Sequence, residues 1–264
     1  MPDVTQKMWN VIGHDPVLGY FDRVIERDCV GHAYILSGPA SVGKMTIAWR
    51  FAARLLKTHP GQLKTHPDLV VVQREVNKKT KKLREQLSVE QIQEARARFQ
   101  QTAMHGGYKV LIIADAQQLS DAAANALLKT LEEPRGKACI LLTTTDETKL
   151  LPTIRSRSQT LHLRPVPRET ICDGIVDRVD SREEAHELAG LAAGSPGVAI
   201  ALTDDAEMRG MIDERYAVTR ACLDASVPKR ILAARNTLPT YDEDHVKTRT
   251  ELLARIDALE VQAR

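Results

Sequence analysis

The sequence predicts an α/β fold, a parallel sheet covered by helices on both faces, followed by a small helical domain and a short helical tail. Three observations predict it. Short apolar runs of β type alternate with helical patterns through the first 163 residues. The runs are apolar on both faces, as strands between two helical layers are. Beyond residue 163 the pattern becomes wholly helical.

In chain order, "AYIL" (33–36) is the first run and leads through the glycine-rich "GPASVGKMT" (38–46) into a helical pattern. "DLVVVQ" (68–73) is the second. Ser88 followed by Gln91 is a capping-box signal, and Ile92, Ala95 and Phe99 then share one helical face. "KVLII" (109–113) is the third run, and "DAAANALLKTLEE" (121–133) is made of good helix formers that stop at Pro134. "CILLTT" (139–144) and "QTLHL" (159–163) complete the strands. Two prolines in "LRPVPRE" (163–169) disfavour helix and mark a boundary. "EEAHELAGLAA" then ends at Gly194, and "GSPGVAIAL" reads as a turn into another helix. The expected division is an α/β domain over 1–163, a helical domain over 164–205 and a tail of two or three helices over 206–264.

Bulk properties exclude several classes. With 264 residues, 43% apolar and 27% charged, the chain has an ordinary globular balance for one large or two modest domains. A net charge of +2 gives no global reason for tight nucleic-acid binding, so any DNA contact needs a local patch. "NKKTKKLRE" (77–85) is such a patch, although a solvated hairpin loop is its plainer reading. Cys29, Cys139, Cys172 and Cys222 lie far apart without metal-ligand spacing, as reduced thiols of a cytosolic protein do. "MPDVTQKMWNVIGHDP" lacks a continuous apolar segment, and no run approaches the roughly 18 residues of a membrane helix. A cytoplasmic, soluble protein is therefore expected. The repeated "LKTHP" (56–60 and 63–67) sets two histidines seven apart with no further ligand nearby, and reads as a loop.

Gly38, Gly43 and Lys44 satisfy G-x-x-x-x-G-K between an apolar strand and a helix, the context a phosphate loop requires. Glycines let backbone N–H groups close on phosphate oxygens, and the helix N-terminus favours negative charge. The next position normally gives a hydroxyl to Mg²⁺. Here it is Met45, whose thioether is a poor ligand for so hard a cation. Thr46 lies one residue on, about 100° around the helix, and does not simply replace it. After the third strand a phosphate-loop ATPase has an Asp for the metal, commonly followed by a Glu. This chain reads Ala114-Asp115, and Asp115 alone also fits a strand-end or helix-cap role.

"ALLKTLEEP" (126–134), "HPDL" (66–69), "HAYILSGP" (32–39) and "TIRSRSQTL" (153–161) together resemble the bacterial clamp-loader ATPases of DNA polymerase III, in register from about residue 9 to 200. The resemblance implies an AAA+ P-loop domain with a helical lid over 164–205 and a shortened helical collar over 206–264. Hydrolysing gamma-type members carry Thr or Ser after the Walker lysine, Asp-Glu after the third strand and Gly-Ser-x-Arg in the lid. Here those slots hold Met45, Ala114-Asp115 and Gly197 of "GSPG" (194–197). Three lost parts point to the non-hydrolysing delta-prime branch. Ser156-Arg157-Ser158 occupies the family's Ser-Arg-Cys position, whose arginine is offered across the subunit interface to a neighbour's ATP; Arg155 falls outside that slot. Thr144 stands near the family's sensor position and is expected to bond only locally.

The resemblance further implies a role in DNA replication within a nucleotidyltransferase holoenzyme, the chain itself not being an active ATPase. Its partners would be gamma/tau and delta subunits in a hetero-oligomer, with the sliding clamp and primer-template DNA reached through the complex and no membrane involved. No cofactor would be required; weak ATP or ADP binding at Gly38, Gly43, Lys44 and Thr46 would lack a competent Mg²⁺ site. The four-cysteine zinc module of many members is replaced by "KTHPGQLKTHPDL", so no zinc is expected. Two rivals stay open: a working gamma/tau-type ATPase in which Asp115 holds the metal, and a degenerate AAA+ scaffold outside replication.

Overall fold

The computed structural model describes residues 9–76, 84–104, 107–205 and 209–210. Its contacts divide it into two units, one running to Ile171 and including Gly194–Gly197, the other comprising Cys172–Ala193 and the chain from Val198 onward.

The first unit holds a parallel five-stranded sheet. Its strands are β1 (Ala33–Ser37), β2 (Leu69–Val72), β3 (Lys109–Ile113), β4 (Ala138–Thr144) and β5 (Gln159–His162), in the order β2-β3-β4-β1-β5. Each of the five apolar runs became a strand within a residue or two of its expected limits. The reason is visible in their two-faced burial. Along β1, Tyr34 and Leu36 enter one core while Ala33 and Ile35 enter the other. The same alternation places Val110 and Ile112, then Cys139 and Leu141, opposite Leu111 and Ile113, then Ile140 and Leu142.

One core lies under helices α1 (Asp15–Glu26) and α2 (Lys44–Leu55). The few aromatics concentrate there: Phe21 stacks on Phe51 with centroids 3.9 Å apart, and Tyr34 meets both edge-on. Trp9 donates to Asp22, which also pairs with Arg54, and the Arg54 guanidinium lies over the Trp9 ring. The other core lies under α3 (Val89–Phe99) and α4 (Asp121–Glu132). The capping box at Ser88 and Gln91 is fully formed, and Ile92, Ala95 and Phe99 are buried. Ser120 caps α4 by accepting from the Ala123 amide, and Pro134 follows its end. A short helix α5 (Pro152–Arg155) precedes β5, and α6 (Arg168–Ile175) runs across the border between the units.

The "LKTHP" repeat forms a 3₁₀ turn over Pro60–Thr65 with Leu63 buried. His59 caps the start of this turn by accepting from the Gly61 amide, and His66, just past its end, accepts from the Asp68 amide. Among the described residues, no group of three or more His, Cys, Asp or Glu side chains could hold a metal ion. No helix there is long and apolar enough to cross a membrane. Cys29, Cys139 and Cys172 are free thiols.

The second unit contains α7 (Arg182–Leu191) and most of α8 (Pro196–Asp204), around buried Cys172, Ile175, Leu188 and Leu202. Ser181 caps α7 through the Glu184 amide, and Glu184 also pairs with Arg209. The tail expected over 206–264 lies outside the described residues except for 209–210, and the basic patch at 77–85 does so except for Arg84 and Glu85.

Candidate functional site

In a parallel sheet the loops after the strands gather at one end, and the phosphate loop sits there. It leaves β1 after Ser37 and enters α2 through Gly43, whose φ of +109° only glycine adopts freely. Gly38 is required for another reason. A Cβ on it would stand 2.3 Å from the Leu163 carbonyl oxygen, where the chain leaves β5.

Each carbonyl of the loop has an internal donor. Lys44 Nζ donates to the Gly38 oxygen at 2.7 Å and also to that of Pro39. The Ser195 hydroxyl donates to the Ala40 oxygen at 3.3 Å, and the Gly197 amide to that of Ser41 at 2.9 Å. His14 Nε2 lies 2.8 Å from the Val42 oxygen, and a carbonyl can only accept, so this nitrogen carries the proton. Lys44 is only 7% exposed. Burial lowers its pKa, against which the Asp115 carboxylate acts. Burial likewise lowers that of His14, against its bond to Val42 and the nearby Asp15 charge.

Around Met45 the side chains bond within the fold. The Thr143 hydroxyl points its proton at Met45 Sδ, 3.7 Å away, and accepts from the Asp115 amide at 3.1 Å. Asp115 adopts a left-handed conformation before a short 3₁₀ turn (Ala116–Gln118), makes no side-chain cap, and faces Arg74 at 3.5 Å. A thioether, an alanine and an arginine-paired carboxylate do not fit a Mg²⁺ site. Thr46 is exposed on the helix. Thr144 is buried and exchanges bonds with the Asp146 backbone, donating to its oxygen and accepting from its amide.

Gly197 has no room for a side chain. A Cβ there would stand 2.7 Å from the Ser41 oxygen, inside contact distance. The backbone of residues 194–197 and the phosphate loop have closed on each other.

Arg157 lies at the opposite end of the sheet. It precedes β5, whose first residue Gln159 is in register with Tyr34 near the start of β1. From Gln159 to Leu163, beside Gly38, is about 13 Å of strand rise. The turn holding Arg157 is anchored by fully buried Ile154. Its Nη2 meets Glu132 Oε1 at 2.8 Å, and its Nη1 donates to the Thr153 oxygen at 3.1 Å. The side chain remains 36% exposed. Arg155 is exposed, and the Ser158 hydroxyl is buried without a hydrogen-bond partner. Gly38, Gly43, Lys44 and Thr46 thus assemble at one end and Arg157 stands apart from them. Sequence reasoning gave no role to His14, Glu132, Thr143 and Arg74, although "DAAANALLKTLEE" and "ALLKTLEEP" had covered the stretch containing Glu132 and "CILLTT" that containing Thr143.

This is the arrangement of an AAA+ nucleotide-binding fold. The family described as "DNA polymerase III, delta subunit" matches residues 13–167. The chain is 36% identical over 184 residues to the delta-prime subunit of DNA polymerase III from Pseudomonas aeruginosa, covering 62% of this chain and 53% of that one. It is 30% identical over 279 residues to the tau subunit from Escherichia coli, covering 98% and 40%. It therefore spans about half the length, or less, of these curated relatives. A solved DNA polymerase III gamma-subunit-related protein from Thermotoga maritima superposes with a TM-score of 0.55 at 22% identity, covering 91% of this chain and 76% of that one, a likeness of fold. The chain belongs to the delta-prime clamp-loader family of DNA polymerase III.

Proposed function

We propose that this chain is a delta-prime-type subunit of the clamp loader, acting in DNA replication in the cytoplasm. It takes its place in a hetero-oligomeric ring with gamma/tau and delta subunits that loads the sliding clamp onto primer-template DNA. The α/β domain, the lid over 164–205 and a collar from 206 on are its three parts. Its own phosphate loop is a structural element, and its chemical contribution is Arg157, offered to the ATP of a neighbouring subunit.

The observation that carries this reading is the placement of Arg157: a fixed, half-exposed guanidinium about one strand length from the chain's own phosphate loop. At that distance it serves no nucleotide of its own chain. A guanidinium placed against a transferring phosphoryl group stabilises its developing charge, which is how such fingers act. The residues present support the same division of labour, because a thioether at Met45 and an alanine at Ala114 are not the ligands that hydrolysis needs.

The test is DNA- and clamp-stimulated ATP hydrolysis by gamma/tau-type and delta subunits with this chain added, as wild type and as Arg157→Ala. Stimulation by the wild type, its loss in an assembled Arg157→Ala ring, and no turnover by the chain alone are the expected results. Similarity to tau over nearly the whole chain favours a second reading, a working gamma/tau-type ATPase. Turnover by the isolated chain would establish that reading instead.

A further inference from the structure

Glu132 has no part in the reading above, yet its placement is unusual for its own helix. It is the last residue of α4, and Glu133 follows it. Carboxylates at a helix C-terminus face the negative end of the macrodipole and disfavour the helix. Local structure therefore gives no reason for an acid there. A tertiary one is present: Oε1 of Glu132 meets Nη2 of Arg157 at 2.8 Å.

We propose that Glu132 is a positioning residue for Arg157, holding its guanidinium in the orientation in which it is presented to a neighbouring subunit. Both ends of the pair are set by buried anchors. Glu132 follows Leu131, 1% exposed, and precedes a helix stop that Pro134 imposes by driving Glu133 out of the helical conformation (φ −130°, ψ 68°). Arg157 follows fully buried Ile154. The guanidinium is then gripped on two different nitrogens, Nη2 by Glu132 and Nη1 by the Thr153 carbonyl. Two grips fix the plane of a rigid fork, where one would leave it free to swing. Of the five N–H donors of an arginine, those not aimed at Glu132 and Thr153 remain for a ligand outside the chain. Glu132 also partly neutralises Arg157, so its use lies in orientation rather than in added charge. Its effect on ATP hydrolysis rests on the finger reading; its hold on Arg157 does not.

The experiment has two arms, both with the full chain. In the first, ¹⁵N NMR of the isolated protein follows the Arg157 guanidinium. Distinct, slowly exchanging Nη signals are expected in the wild type and averaged ones in Glu132→Ala; identical signals in both overturn the proposal whatever the loader does. In the second, the loader is assembled with Glu132→Ala, Glu132→Gln, Arg157→Ala and the double variant. Glu132→Ala is expected to lower kcat on the order of fivefold with the KM for ATP little changed, the scale of one half-exposed ion pair. Glu132→Gln, which keeps an oxygen acceptor, recovers most of it, and the double variant matches Arg157→Ala alone. A loss in Glu132→Ala that persists in the Arg157→Ala background overturns the proposal. If the NMR arm succeeds while Arg157→Ala leaves hydrolysis unchanged, the finger reading falls and the hold of Glu132 on Arg157 stands.

Discussion

Between residues 38 and 44 the polar groups of the chain bond to one another and to neighbouring backbone, whereas at Arg157 a guanidinium is gripped on two nitrogens and left half-exposed. Both regions are built on the same sheet, at its two ends. In the loop, Lys44, His14, Ser195 and Gly197 each bond to loop carbonyls, and Met45 packs against Thr143. At Arg157, Glu132 and Thr153 orient the side chain without covering it. The contrast teaches that the shape of a loop also carries packing, since its carbonyls are satisfied within the fold, while the guanidinium is left partly open to other partners. Substitutions in the first region should therefore act on stability, and those in the second on the partner's chemistry.

The largest expected effect is on chemistry. On the proposed finger reading, Arg157→Ala in the assembled ring should slow single-turnover hydrolysis at the adjoining ATP site on the order of 10³-fold, as removal of such fingers does. Arg157→Lys should recover little, because an ammonium lacks the planar fork. The denaturation midpoint of the isolated chain should barely move, since a half-exposed ion pair contributes at most about 1 kcal/mol. A large loss of stability with unchanged hydrolysis would reverse the comparison.

Gly38→Ala should do the opposite. Its methyl group would meet the Leu163 oxygen at 2.3 Å, so β1 and the end of β5 must part locally. A loss of about 3 kcal/mol in chemical denaturation is expected, the upper range for overpacking. Gly197→Ala meets the Ser41 oxygen at 2.7 Å and should cost about 1–2 kcal/mol on the same scale. Neither should create hydrolysis in the isolated chain.

Met45→Thr sharpens the point further. It restores the hydroxyl that phosphate loops present to Mg²⁺, but Ala114 still leaves the acidic position empty. No turnover should appear, and stability should fall by about 1 kcal/mol as apolar contacts with the core are lost. Isothermal titration with Mg²⁺-ATP, before and after adding Ala114→Asp, separates a missing ligand from a closed loop.

What was legible in the sequence follows from range. Strands buried on both faces announce themselves as continuous apolar runs, and a capping box spans four residues, so β1 to β5 and the start of α3 could be read directly. The phosphate loop and the Ser-Arg-Ser turn were legible as local patterns. Their partners were not. His14 reaches Val42 across 28 residues, and Glu132 reaches Arg157 across the space between a helix end and a strand start. Nothing in "GHDP" or "LEEP" specifies those pairings, because they depend on how α1 and α4 dock. Asp115 illustrates the same limit: its left-handed backbone and its approach to Arg74 are tertiary outcomes at a position that also read as an ordinary cap.

The smallest effect concerns pH, and it tests whether the loop is held from outside. Burial lowers the pKa of His14 below its usual 6.5, while its Nε2–H bonds to the Val42 oxygen. Between the lowered folded value and 6.5 the unfolded chain binds more protons than the folded one, so stability rises with pH across that window. The neutral imidazole therefore contributes stability that is present above about pH 6.5 and lost as pH falls through the folded value. Urea midpoints measured from pH 7.5 down to 5 should decline for the wild type. His14→Gln, which keeps an N–H donor but does not titrate, should flatten that part of the curve while retaining much of the stability at pH 7.5. An unchanged slope would mean that groups other than His14 titrate in this range. A flattened slope would assign that part of the pH dependence to the buried imidazole of His14, and the plateau at pH 7.5 reads separately what its bond to Val42 contributes.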